Sequence, residues 1–383
     1  MQTTTDRTGT VRNFVSRVFS EDLHAKRVLS LADGALGGVT GASLAVAMIG
    51  HALAQARGLV DKHAIKQVDR LLSNQGVRVW DLFAPWIRHA VGERQKIVVA
   101  MDWTDFDADD QTTLALHLVT GHGRATPLLW LTVGKDELKD RRNDFEDLCL
   151  CRLKACLPDG VAVTILADRG FGDVKLFAFL ESLGFDYAIR FRGNIQVAAE
   201  NVETRLAADW VGKGGRARML REVGLTAARC KVPAVVCVHA KDMKEPWCIA
   251  TSRRDAVARE IIDHYANRWT IEPGFRDTKD LRFGMGMSAL RISDPQRRDR
   301  LLLLNALAVV LLTLLGAAGE SLGLDRLLKS NTSKRRTHSL FRQGCLLYDL
   351  IPNMPDCRLR PLVAKYAELL RQNNAFTATF GLV

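Results

Sequence analysis

Two β-branched apolar runs, each interrupted by an aspartate, restrict this chain more than any other feature. IVVAMDWTD, from Ile97 to Asp105, is broken by Asp102, and VAVTILADRGFGD, from Val161 to Asp173, reaches Asp168 just before a Gly-containing turn. A buried strand rarely tolerates a carboxylate without a partner or a cation, because isolated buried charge is expensive. Taken singly, each aspartate could be a helix cap or a turn residue.

A third acid stands in YANRWTIEPGFRDTK, Tyr265 to Lys279, where Tyr265, Arg268, Glu272 and Lys279 follow one another in steps of three, four and seven. At about 100° per residue, a continuous helix would hold the four side chains within an arc of roughly 60°. For R-x-x-x-E alone the ordinary reading is a solvated face with ion-pair spacing. Pro273, directly after the glutamate, removes a helix hydrogen bond and predicts a kink there. Two strand aspartates and a helix glutamate together form an all-oxygen set of the kind that hard divalent cations prefer.

In this combination and order the motifs resemble those of the DDE transposases of bacterial insertion sequences, in particular the branch marked by Tyr-x2-Arg-x3-Glu-x6-Lys. Tyr265, Arg268, Glu272 and Lys279 meet every spacing of that signature, Asp102 in VVAMDWT matches the first strand aspartate, and Ala167-Asp168-Arg169-Gly170-Phe171 matches the second acidic turn. The likeness runs from about Ile97 to Gly316. It implies an RNase H-like α/β fold: a mixed sheet flanked by helices, with a helical N-terminal domain and a β-rich insertion before the helix of Glu272. It further implies a DNA transposase that binds terminal inverted repeats and catalyses strand cleavage and strand transfer.

The resemblance implies Asp102, Asp168 and Glu272 as catalytic ligands of two Mg²⁺ ions, with Mn²⁺ able to substitute. Tyr265, Arg268 and Lys279 would grip the DNA end, with Arg190, Lys334, Arg335 and Arg336 as further DNA contacts. The partner is then double-stranded DNA, as transposon end and as target, and the synaptic complex a homodimer in the cytoplasm at the nucleoid. Two rivals stand beside this reading. An RNase H-like host nuclease would keep the acids without needing the Tyr-Arg-Lys set, and a transposase-derived repressor would bind ends without cutting, which the intact triad of acids opposes.

Charge agrees with a polyanion partner. The 383 residues carry 54 Lys and Arg against 43 Asp and Glu, a formal +11, with local excesses of +5 over 191–255 and +7 over 291–383. Eight cysteines without an apolar N-terminal signal segment point to cytosolic thiols. Cys149, Cys151 and Cys156 lack the C-x2-C spacing of a zinc site. Leu301 to Gly319 is apolar except for Asn305 and Thr313 and is long enough to cross a bilayer, but as the sole such run, directly after the Glu272 helix, it reads as the apolar cover of a sheet.

In chain order, residues 1–95 read as a helical DNA-binding domain, with helices over Val11–Leu31, Ala42–Arg57, Asp61–Ser73 and Val79–Val91, punctuated by Gly34, Gly37, Gly38, Gly41 and Gly58. Lys62, Lys66 and Arg70 form a basic stripe that suits phosphates and solvent equally well. Residues 96–191 read as the first part of the catalytic core, in the order three strands, helix, strand, helix, strand. Residues 192–255 are the β-rich insertion, where Trp210 and Trp247 are either base-stacking platforms or fillers of a small core. The core resumes over 256–320, and 321–383 is a basic C-terminal region with a polar loop through Lys334, Arg335 and Arg336, a helix over Pro361–Gln372 and a frayed final ten residues.

Overall fold

The computed structural model describes residues 2–199 and 203–372; the expected frayed tail lies outside them. Five helices come first: α1 (Gln2–Phe19), α2 (Ala25–Gly41), α3 (Val46–Arg57), α4 (Asp61–Ser73) and α5 (Val79–Val91). The last two have the bounds that their periodicity predicts. The expected Val11–Leu31 helix is instead two, divided at residues 20–24. Gly34, Gly37 and Gly38 do not punctuate; they lie inside α2, where a Cβ on Gly37 would collide with the Ile49 carbonyl of α3. Asp33 ties this bundle together by accepting from Arg12, Arg57 and Gln67.

The catalytic-core pattern follows as read: β1 (Lys96–Phe106), β2 (Gln111–Leu118), β3 (Thr126–Gly134), α6 (Arg142–Cys156), β4 (Ala162–Ala167), α7 (Val174–Ser182) and β5 (Asp186–Phe191). Residues 196–251 contribute β6 (Gln196–Ala198), β7 (Thr204–Leu206), β8 (Arg218–Leu225), β9 (Cys230–Val238) and β10 (Trp247–Thr251). These do not form a separate sheet. β10 pairs directly with β5, so one ten-stranded sheet runs β3-β2-β1-β4-β5-β10-β9-β8-β6-β7. Its β1–β4 and β4–β5 pairs are parallel and the others antiparallel. The whole is a mixed α/β architecture, a large sheet flanked by helices behind a helical N-terminal region.

The remaining helices are α8 (Ala258–Ala266), α9 (Ile271–Lys279), α10 (Pro295–Ser321), α11 (Leu340–Leu350) and α12 (Asp356–Arg371). α10 holds the long apolar run, and 83% of its most apolar stretch is buried inside the fold. It is therefore a core helix. Asp299 fixes it to β3, its carboxylate accepting from the Thr132 amide and its carbonyl from the Trp130 indole. α11 was not apparent from the sequence. Its backbone rides directly on α10 because Gly316 and Gly344 lack Cβ atoms that would strike the Leu340 and Leu312 carbonyls.

The two tryptophans of the inserted segment differ in burial. Trp210 is fully buried and donates to the Val197 carbonyl at 3.2 Å, with the Arg205 and Arg218 guanidiniums over its ring. Trp247 is half-buried and meets Tyr265 edge-on, with centroids 5.0 Å apart. Trp210 is thus a core filler and not a stacking platform.

Candidate active site

Strand alternation places the first acid. Val98 and Ala100 face an apolar cluster made with Leu166, Ile249, Ile261, Tyr265 and Ile271, and by the two-residue period Asp102 points the same way, towards α8 and α9. The second acid follows from register. β1 and β4 run parallel with Met101 paired to Ala167, so Asp102 and Asp168 are the next residues on adjacent strands. Past the end of β4, Asp168 caps a short 3₁₀ turn, Arg169–Phe171, by accepting from the Gly170 amide at 2.7 Å.

The stretch 265–279 is helical throughout but not uniformly α, because a 3₁₀ turn joins two α-helical segments. α8 ends at Ala266, a 3₁₀ turn spans Asn267–Thr270, and α9 starts at Ile271. Pro273 has no N–H for the Trp269 carbonyl one turn back. The Thr270 carbonyl turns outward and accepts from the Ala125 amide at 3.1 Å. Tyr265 therefore belongs to α8, Arg268 to the 3₁₀ turn, and Glu272 and Lys279 to α9.

Three of these groups converge with the aspartates. Arg268, whose side chain is only 7% exposed, directs one terminal nitrogen at Asp102 Oδ2 (3.4 Å) and the other at Glu272 Oε1 (3.1 Å). Burial works against its positive charge, but Tyr265, Asp102, Glu272 and Asp168 outweigh that effect and raise its pKa. Asp102 is pushed up to about 6, chiefly by burial; Arg268 opposes the shift, and Asp168 and Glu272 add to it. Tyr265 is buried, and burial raises its phenol further above the usual range.

The three groups expected to grip the DNA end, Tyr265, Arg268 and Lys279, differ in their surroundings. Tyr265 and Arg268 are internal, and Arg268 is already engaged by two acids. Lys279 is half-buried, donates to the Asp105 carbonyl at 2.5 Å and lies 4.5 Å from the Phe106 ring centroid, pinning the end of α9 to the end of β1. Arg190 on β5 joins Arg169 on the carboxylate of Glu245. Lys334 and Arg335 are exposed on their loop, while Arg336 pairs with Glu320.

On the opposite sheet face stands a brace that the sequence reading passed over. Trp103 donates to Glu146 Oε1 at 2.8 Å, and Arg142 bonds the same oxygen at 3.2 Å. The Arg142 guanidinium also lies 5.3 Å from the Trp103 ring and 5.8 Å from Phe171, so it joins the neighbour of Asp102 to the turn of Asp168. Its only local signal is the i, i+4 pair Arg142–Glu146 at the start of α6.

Three carboxylates with oxygen donors alone suit a hard divalent cation. Among the described residues, however, no three acidic, His or Cys side chains are set to hold a metal ion. Between Asp102 and Glu272 the positive charge is that of Arg268.

No curated protein matches the chain. The family profile described as the Transposase DDE domain matches residues 93–311, from just before β1 into α10. That span is more than half of the sequence and contains all three acids, so the chain belongs to the DDE transposase family.

Proposed function

We propose that this transposase belongs to the Tyr-x2-Arg-x3-Glu-x6-Lys branch, binds the terminal inverted repeats of an insertion sequence, and cuts and rejoins them with Asp102, Asp168 and Glu272. The observation that carries the reading is the buried Arg268 held between Asp102 of β1 and Glu272 of α9, with Asp168 at the end of β4 near enough to raise Asp102 further. Phosphodiester cleavage needs an activated water and charge stabilisation at the leaving 3′ oxygen, which a pair of Mg²⁺ or Mn²⁺ ions, when bound, supplies. Asp102, Asp168 and Glu272 are the residues that would hold those ions. Arg268 counters the charge of Asp102 and Glu272 and, for the two acids to hold a cation, would have to release them. Tyr265 packs behind it against Trp247 and keeps water from that side.

No protein nucleophile is required, because the 3′-OH freed by cleavage can itself attack the target strand. In this reading Lys279, Arg190, Lys334, Arg335 and Arg336 supply phosphate contacts, and 1–95 supplies end recognition. A homodimer would hold two ends together in the cytoplasm. The test is a supercoiled plasmid carrying the repeats that flank the gene, with Mg²⁺, beside the same plasmid without them. Nicking and joining at the repeat ends supports the proposal. Cutting that ignores the repeats favours a host nuclease, and binding without cutting favours a repressor.

A further inference from the structure

α9 and α10 do not close completely on β2. Between them lies a cavity of about 20 Å³, walled largely by apolar groups such as Phe106, Ala115, Trp130 and Leu302. Two of its lining residues are polar and buried, His117 of β2 at 5% exposure and Asn305 of α10 at 2%. Among the described residues, His117 Nδ1 and Asn305 Oδ1 have no hydrogen-bond partner. A buried polar atom left unpaired is costly, so two of them on one small space call for a common partner.

Size and charge identify that partner. The volume is that of about one water molecule. Lys279 lines the cavity, the Arg298 guanidinium lies 3.9 Å from the centroid of the Phe106 ring, and none of the described lining residues is acidic, which disfavours a metal ion or ammonium. An anion fits no better: Lys279 is engaged by the Asp105 carbonyl, and burial depresses the pKa of His117 to about 3, so its ring is neutral. Asn305 Oδ1 is an acceptor, and Nδ1 of a neutral ring accepts or donates according to tautomer. Water, which both donates and accepts, can satisfy the two together.

The residues around the cavity bear directly on the candidate active site. Asn305 Nδ2 donates to Thr278 Oγ1 at 3.1 Å, and Thr278 in turn donates to the Gly274 carbonyl at 3.1 Å, in the helix of Glu272. His117 meets Phe275 of the same helix edge-on, with centroids 5.4 Å apart, and pairs across the sheet with Ala100 on the strand of Asp102. A water shared by His117 and Asn305 would thus tie the strand pair that carries Asp102 to the helix that carries Glu272. Resting on the transposase reading above, we propose that His117 and Asn305 hold a buried water that seats α9 on the sheet, which makes both of them positioning residues for Glu272.

The test pairs a crystal structure of the full chain, at a resolution that shows ordered water, with amide hydrogen exchange, both without DNA or metal. Density for one water at about 2.7–3.2 Å from His117 Nδ1 and Asn305 Oδ1 is expected. Exchange in the peptide covering Ile271–Lys279 should quicken about tenfold in His117→Phe, as loss of one buried hydrogen bond implies. It should recover in His117→Asn, whose amide reaches the place of Nδ1. With Mg²⁺ and repeat-ended DNA, His117→Phe should need several-fold more Mg²⁺ for half-maximal cleavage at unchanged end affinity. The proposal is overturned if the wild-type density is absent, if xenon under pressure enters the cavity and so marks it as dry, or if α9 exchanges equally in all three proteins. Should His117→Phe fail to fold, the wild-type density decides. Because density and exchange are read without DNA or metal, a wild type that fails to cut counts against the nuclease reading alone.

Discussion

Arg268 and Asp102, separated by 166 positions in the sequence, form an ion pair at 3.4 Å inside the candidate active site. The arginine's other arm holds Glu272, so one guanidinium counters two acids that would otherwise repel each other. Arg268→Ala should therefore lower metal-free stability by about 2–4 kcal/mol, less than for a fully buried pair because Glu272 is partly exposed. The same variant should gain more in melting temperature from Mg²⁺ than the wild type does. Thermal denaturation with and without Mg²⁺ checks this, and equal gains would refute it.

Proton linkage at Asp102 has a defined sign. Its folded pKa, about 6, lies above the ordinary value of 3.8, so between those values the folded state binds more protons than the unfolded state. Metal-free stability should then fall as pH rises from about 4 to about 6, by on the order of 2–3 kcal/mol once both values are passed. Asp102→Asn should flatten the curve in that window. Urea titrations across the range measure it.

The brace behind the sheet gives a third expectation. Arg142→Ala should destabilise the fold by about 1–2 kcal/mol, through loss of the cation–π contacts and the bond to Glu146. It should also raise the Mg²⁺ concentration for half-maximal cleavage while leaving DNA affinity unchanged. Arg142→Lys should recover part of the metal response. A parallel loss of DNA affinity would mean that Arg142 contacts DNA directly.

Much of this was legible because it is local. Alternation in IVVAMD fixes which face Asp102 joins, and the apolar run through Val161–Ala167 puts Asp168 at a strand's end. The helix through 265–279 was not legible in full. Pro273 signals a break, but its form depends on Ala125, a residue of a distant hairpin, capturing the Thr270 carbonyl. The burial of Arg268 was hidden for a related reason: an arginine at helical spacing from a glutamate looks solvated until the strand acid packs against it. α11 escaped notice because it is held by close backbone contact at Gly316 and Gly344, which leaves little mark on periodicity. Trp210 reads from sequence as a core filler or a base platform, and the strands closed around it make it the former.

DNA affinity should decline almost linearly in log–log form with salt, since the +11 chain would displace counterions from phosphates. Lys334→Ala/Arg335→Ala should make that slope shallower by about one to two, roughly 0.9 per lost phosphate contact. An unchanged slope would remove this loop from the interface.

The most direct measurement is Mg²⁺-dependent cleavage of DNA carrying the flanking repeats by Asp102→Ala, Asp168→Ala and Glu272→Ala, with end binding followed in parallel. Each variant should bind ends nearly as the wild type does, because phosphate contacts elsewhere carry the affinity, and none should cut. Retained Mg²⁺-dependent cutting by any of the three would contradict the assignment of the site.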